Sequence, residues 1–174
     1  MPNLRKILLT GPHVSIAEMT LEDQPHFQRW LSESAELRQL INDKRVPTMD
    51  DQLNWFARVQ QPDRRMFSLL VGDTLIGNAG FVDIDPVAKT AVFRITIGDS
   101  MHHGKGYGTE ATRLVLQYGF DEMDLSQVSL SVVTTNPRAK RTYEKVGFVA
   151  KGEPCHDGTL TMVLDRHTFL NSIP

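Results

Sequence analysis

His102-His103-Gly104-Lys105-Gly106-Tyr107-Gly108-Thr109 separates two runs of different period. Upstream, Ala91 to Gly98 reads as a strand. Downstream, Thr109 to Phe120 reads as a helix with Ala111, Leu114, Val115 and Tyr118 on one side. A glycine-rich turn that opens a helix presents unpaired backbone N–H groups and the positive end of the helix dipole. Such a turn can hold an anion, most readily the phosphates of a cofactor. On spacing alone, a plain strand-to-helix turn competes with that reading. Two commoner phosphate loops fit less well. In G-x-x-x-x-G-K-[ST] the lysine follows the last glycine and precedes a hydroxyl, whereas Lys105 lies between glycines. A G-x-G-x-x-G fingerprint read from Gly104 and Gly106 meets threonine at position 109, and it lies mid-chain rather than in a first βαβ unit.

Working outward, the alternation in Val14 to Met19 predicts a first strand. Thr20 and Asp23 form a capping-box-like pair, with Pro25 in the first helical turn and Phe27, Trp30 and Leu31 at helical spacing. A short helix is expected over Ala35 to Ile41. Thr48 and Asp51 repeat the cap pattern, before a helix whose face would be Leu53, Phe56, Ala57 and Gln60. Met66 to Val71, Leu75 to Asp83 and Ala91 to Gly98 read as a three-strand meander with turns at Gly72-Asp73 and Asp85 to Lys89. After the loop and its helix, Val128 to Val133 is a strand. Asn136 then serves as N-cap and Pro137 as first residue of a helix ended by Gly147. Ala139, Thr142, Tyr143 and Val146 share one face of that helix. Phe148-Val149 and Thr159 to Leu164 read as the last strands. The order predicts one mixed α/β layer, antiparallel in its first half, with a βαβ unit in its second.

Two of these segments together resemble the Gcn5-related N-acetyltransferase (GNAT) family. Its cofactor signature, Arg/Gln-x-x-Gly-x-Gly/Ala before a helix, reads here as His103-Gly104-Lys105-Gly106-Tyr107-Gly108. Its later block is a strand followed by Asn-x-x-Ala-x-x-x-Tyr-x-x-x-Gly-Phe, matched here by Asn136, Ala139, Tyr143, Gly147 and Phe148. Gly106 to Ala111 looks like the branch that contains ribosomal-protein N-terminal and small-molecule amine acetyltransferases. The resemblance covers about 69–151 well and the opening elements more loosely. It implies a single acetyltransferase domain over 1–174 with a GNAT-like fold. That fold is a mostly antiparallel sheet of about six to seven strands flanked by helices, with a splayed strand pair at the cofactor site.

The resemblance also implies acetyl-coenzyme A as co-substrate, with no metal. The amides of Gly104, Lys105, Gly106, Tyr107, Gly108 and Thr109 would hold its pyrophosphate, with His103 at the signature's Arg/Gln position. Strands Ala91–Gly98 and Val128–Thr134 would splay around the pantetheine arm, and backbone N–H groups of Ile95, Thr96 and Ile97 would polarise the thioester carbonyl. Asn136 matches the family asparagine that contacts the cofactor arm; a plain N-cap is an equal reading, and the two are compatible. Tyr143 matches the tyrosine that protonates the departing thiolate, whereas periodicity alone reads it as a core aromatic. The acid found on the preceding strand in many relatives is missing from Ala91 to Ile97. The base could be Asp83, Asp85, Glu110, His103 or a water, although surface carboxylates are usually solvated or ion-paired. Arg94 could face an anionic substrate or the solvent. Trp30, Trp55 and Phe56 could wall the acceptor pocket, with helix packing the simpler reading for Phe56.

Composition bounds the rest. The 174 residues are 40% hydrophobic and 23% charged with net charge −2, which is ordinary for a globular domain and argues against a general nucleic-acid binder. One cysteine, Cys155, excludes an internal disulfide and reads as a small buried hydrophobe. His156 lacks partners at metal-ligand spacing. The apolar run Ile7 to Leu9 is too short for a signal peptide, and no run is long enough for a transmembrane helix, so a cytoplasmic enzyme without membrane partners is expected. The expected partner is a primary-amine acceptor, a small molecule (amino sugar, polyamine or amino acid) slightly ahead of a protein N-terminus, with a homodimer as one expected assembly. A coenzyme A sensor without turnover is the alternative from another class.

Overall fold

The computed structural model describes residues 5–173. Eight strands form one sheet: β1 (Ile7–Thr10), β2 (Val14–Glu18), β3 (Arg65–Val71), β4 (Thr74–Asp85), β5 (Thr90–Ile97), β6 (Gln127–Val133), β7 (Val149–Ala150) and β8 (Thr159–Asp165). Their order across the sheet is β1-β2-β3-β4-β5-β6-β8-β7. All neighbours are antiparallel except β5 and β6. Among the described residues six α-helices accompany the sheet: α1 (Gln24–Glu33), α2 (Ala35–Leu40), α3 (Met49–Val59), α4 (Tyr107–Asp121), α5 (Pro137–Val146) and α6 (Arg166–Ser172).

The mixed α/β layer and its meander match the sequence reading, with one strand beyond the expected six to seven. That strand is β1, which contains the short apolar patch. It is held by pairing with β2 and by a turn closed from the Gly11 N–H to the Val14 carbonyl at 2.8 Å. The turn is then clamped from α4, where the Glu110 carboxylate accepts the His13 and Val14 N–H groups at 2.7 and 2.8 Å. A contact between residues this far apart in sequence leaves no local pattern. The other unexpected element, α6, has a local cap, Asp165 accepting the Thr168 N–H at 2.7 Å.

Helix α3 turns a different face inward than apolar periodicity suggests. Val59 and Gln52 are buried, while Leu53 and Ala57 are exposed. Gln52 donates to the Gln24 side chain at 2.9 Å inside the helical layer, so a polar pair sets the orientation. Thr48 and Asp51 make the expected reciprocal cap at 2.9 and 3.1 Å. The main core lies between the sheet and α4, where Phe67, Phe81, Phe120, Leu116 and Met162 are essentially inaccessible. Gly119 lets α4 approach closely: a Cβ there would come within 2.5 Å of the Phe81 ring. A second cluster of Phe27, Trp30 and Leu37 joins α1 and α2. Among the described residues no helix is long and apolar enough to cross a membrane.

Candidate active site

Parallel pairing between β5 and β6 covers only Thr90↔Gln127, Ala91↔Val128 and Val92↔Ser129. Beyond Val92 the two strands part, although β5 stays paired with β4 as far as Ile97. The splay leaves a slot beside residues 93–97 and opens one side of a cavity of about 1270 Å³. Ile95, Thr96, Ile97 and Gly98 form its floor, the glycine loop and Asn136 and Tyr143 of α5 one flank, and α1 and α2 the other.

The loop is shaped by two left-handed glycines. Gly104 has φ +74 and Gly106 has φ +81, conformations that carry a steric penalty for side chains. Gly106 is the N-cap of α4, so the helix begins at Tyr107, two residues earlier than its apolar pattern indicates. A Cβ on Gly106 or Gly108 would meet nothing within 4 Å, so the backbone there is open to a ligand. His103, Gly104, Gly106, Tyr107, Gly108 and Thr109 all border the cavity; Lys105 is exposed and does not. The His103 ring is tied down, its Nε2–H donating to the Ile97 carbonyl at 2.8 Å. These features fit a pyrophosphate-bearing arm threaded from the helix start into the slot.

Asn136 caps α5 by accepting the Ala139 N–H at 3.1 Å, and it borders the cavity as well. Tyr143 is largely buried against Phe93 and Phe148, with ring centroids 6.4 and 5.9 Å away in edge-on contact. Burial pushes its phenol above the ordinary tyrosine value. Among the described residues nothing hydrogen-bonds its hydroxyl. Packed in this way, Tyr143 also borders the cavity.

The carboxylates singled out in sequence lie elsewhere. Asp85 sits in the β4–β5 turn and accepts the Val87 and Ala88 N–H groups at 2.9 Å, with Asp83 exposed beside it, at the opposite end of β5 from the cavity. Glu110 is committed to the β1–β2 turn. Burial pushes its carboxyl up, but the Val14 and His13 N–H donors and the His13 ring at 3.1 Å outweigh this and hold it below the ordinary range. The acids on the cavity wall are Glu33, Glu36 and Asp99. Asp99 reaches His102 Nδ1 at 3.1 Å and accepts the Met101 N–H at 3.0 Å. Glu33 lies one helical turn from Trp30, the one hint in sequence that it shares that wall.

Of the three aromatic wall candidates, only Trp30 borders the cavity. Its ring lies over Gly98, where a Cβ would come within 2.1 Å of it. Trp55 and Phe56 pack between α3 and the sheet instead. Arg94 is exposed and away from the cavity, and Cys155 is exposed rather than buried, in the turn before β8.

Residues 13–149 match the model of the acetyltransferase (GNAT) domain. Over 120 residues the chain is 31% identical to spermidine N(1)-acetyltransferase of Escherichia coli K12, a match that covers 64% of each protein. That is less than two thirds of the length of this curated relative. It is 24% identical over 181 residues to the alpha/beta-tubulin-N-acetyltransferase 9 of Mus musculus, covering 91% of this chain and 72% of that one. The fold is shared with spermidine N-acetyltransferase from Vibrio cholerae, solved in complex with CoA and spermine. The TM-score is 0.85 at 20% identity, over 92% of this chain and all of that one. By the extent of the domain match, the chain belongs to the GNAT acetyltransferase family.

Proposed function

We propose that this protein transfers acetyl from acetyl-coenzyme A to a primary amine of a small cationic molecule, by direct attack while both are bound. The observation that carries the reading is the continuity of one cavity from the glycine loop, through the β5/β6 slot, to the Trp30 wall. Acetyl-coenzyme A supplies an activated acetyl group as a thioester. The amides of the loop hold its pyrophosphate at the positive end of α4. Unpartnered backbone N–H groups on β5 polarise the carbonyl, and the Tyr143 hydroxyl gives a proton to the departing sulfur. A phenol whose pKa is raised keeps that proton throughout the neutral range.

The acceptor enters from α1 and α2. Glu33, Glu36 and Asp99 outnumber the one basic residue from α1 on that wall, Arg29, a balance that favours a polyamine over an anionic acceptor. The naming of relatives as spermidine acetyltransferases supports the same acceptor class. None of the carboxylates first considered reaches the cavity, so the ammonium proton leaves through water toward this wall. A second reading has one observation in its favour. Leu40, Ile41 and Met101 line the cavity mouth with 52%, 43% and 78% of their surface exposed, an apolar rim suited to a peptide N-terminus.

Competition between spermidine and an N-terminal peptide for acetyl-coenzyme A, read by product mass, separates the two. Spermidine acetylated in preference supports the proposal. Acetylation of the peptide alone replaces it with the second reading. Coenzyme A binding without transfer to any amine leaves only a sensor.

A further inference from the structure

The glycine loop carries a histidine where the family signature has arginine or glutamine. His103 spends its Nε2–H on the Ile97 carbonyl, and Lys105 does not border the cavity. Yet the site has a cation close by, from another element. Arg138 stands in the first turn of α5, and its Nη2 lies 3.8 Å from where a Cβ on Gly104 would be. It borders the same cavity as the loop. Among the described residues no carboxylate pairs with it, whereas Lys140 on the same helix is paired with Glu144 at 3.2 Å. An exposed guanidinium with no anionic partner, set against a loop of left-handed glycines, is free to bind a phosphate in a bidentate fork. Arg141 and Lys145, further along α5, border the cavity too and add to a positive field on that flank.

We propose that Arg138 is a coenzyme-binding residue that clamps the pyrophosphate from α5 and supplies the charge absent from position 103. This rests on the glycine loop being the pyrophosphate site. Its placement against Gly104 assigns it to the pyrophosphate rather than to the 3′-phosphate of the ligand.

Calorimetric affinities for coenzyme A and 3′-dephospho-coenzyme A test the assignment in the full chain, with wild type, Arg138→Ala, Arg138→Lys and Gly106→Val. Arg138→Ala should weaken both ligands about tenfold to a hundredfold, the range for one charged hydrogen-bonding partner, and flatten the salt dependence. Arg138→Lys should keep an intermediate affinity, because it retains the charge but not the fork. Affinities within twofold of wild type for Arg138→Ala overturn the proposal, and so does equal loss in Arg138→Ala and Arg138→Lys. A loss confined to coenzyme A also overturns it, by moving Arg138 to the 3′-phosphate. Gly106→Val separates the two levels: if it binds normally, the loop itself is misassigned and the proposal falls with it. If Gly106→Val loses binding while Arg138→Ala does not, only the proposal on Arg138 fails.

Discussion

At the scale of single residues, Tyr143 and Glu110 show how one side chain's surroundings decide its work. Both stand on helices at apolar spacing and both titrate. Tyr143 is packed against two phenylalanines, and burial raises its pKa, so it keeps its proton. In the proposed mechanism Tyr143→Phe lowers kcat by about a hundredfold or more, while coenzyme A affinity by calorimetry stays near wild type. The raised pKa fixes the sign of a second effect. The folded state favours the neutral phenol, so this contribution to stability is complete below the ordinary tyrosine value and is lost as pH rises through the higher folded value. Thermal melts should therefore show Tyr143→Phe losing less stability than wild type at strongly alkaline pH. Glu110 has the opposite sign, since its folded pKa is lowered. Its contribution is present above the ordinary carboxylate range and disappears as pH falls through the folded value. Glu110→Ala should cost about 1.5–3 kcal/mol in denaturant unfolding at neutral pH and leave kcat unchanged, as expected of a turn clamp and not of a base. That Asn136 and Tyr143 stand at the start and on one face of a helix was legible because their motif is local, and both border the cavity. Glu33, Glu36 and Asp99 were not, because a carboxylate's neighbours across a cavity are set by tertiary packing.

At the scale of elements, the glycine loop was legible as a turn that opens a helix, and its left-handed Gly104 and Gly106 give the proposed anion cradle a backbone basis. Gly106→Ala forces a Cβ into φ +81, which should cost about 1–2 kcal/mol in thermal or denaturant unfolding and weaken coenzyme A binding alongside it. A change just past the end of β5, at Gly98, tests the proposed acceptor wall. Gly98→Ala drives a Cβ into the Trp30 ring, so Trp30 must move. The expected result is a shifted tryptophan emission and a raised KM for the amine, with KM for acetyl-coenzyme A little changed. Elements with long-range determinants were the ones sequence reading missed or turned wrongly. The strand β1 depends on a carboxylate from α4, and α3 is oriented by a buried glutamine pair that hydrophobic periodicity cannot register.

At the scale of the whole molecule, the alternation of strands and helices was enough to place a meander before a βαβ unit, and two spaced motifs marked where the sheet opens. The depth of that opening could not be read from the chain. It follows from a parallel pairing that stops after Val92, and from α1 and α2 folding over the exposed end of β5 to put Trp30 on Gly98. The resulting cavity joins glycine loop, strand slot and the wall of α1 and α2, and the proposed chemistry depends on their continuity. The most direct measurement is the initial rate of thiol release from acetyl-coenzyme A by the wild-type protein, with spermidine and without any amine. Release that depends on spermidine, saturates with it and yields one acetylated amine per thiol is the predicted result. Thiol release unchanged by spermidine or by any other primary amine would contradict the assignment of this cavity as a site of amine acetylation.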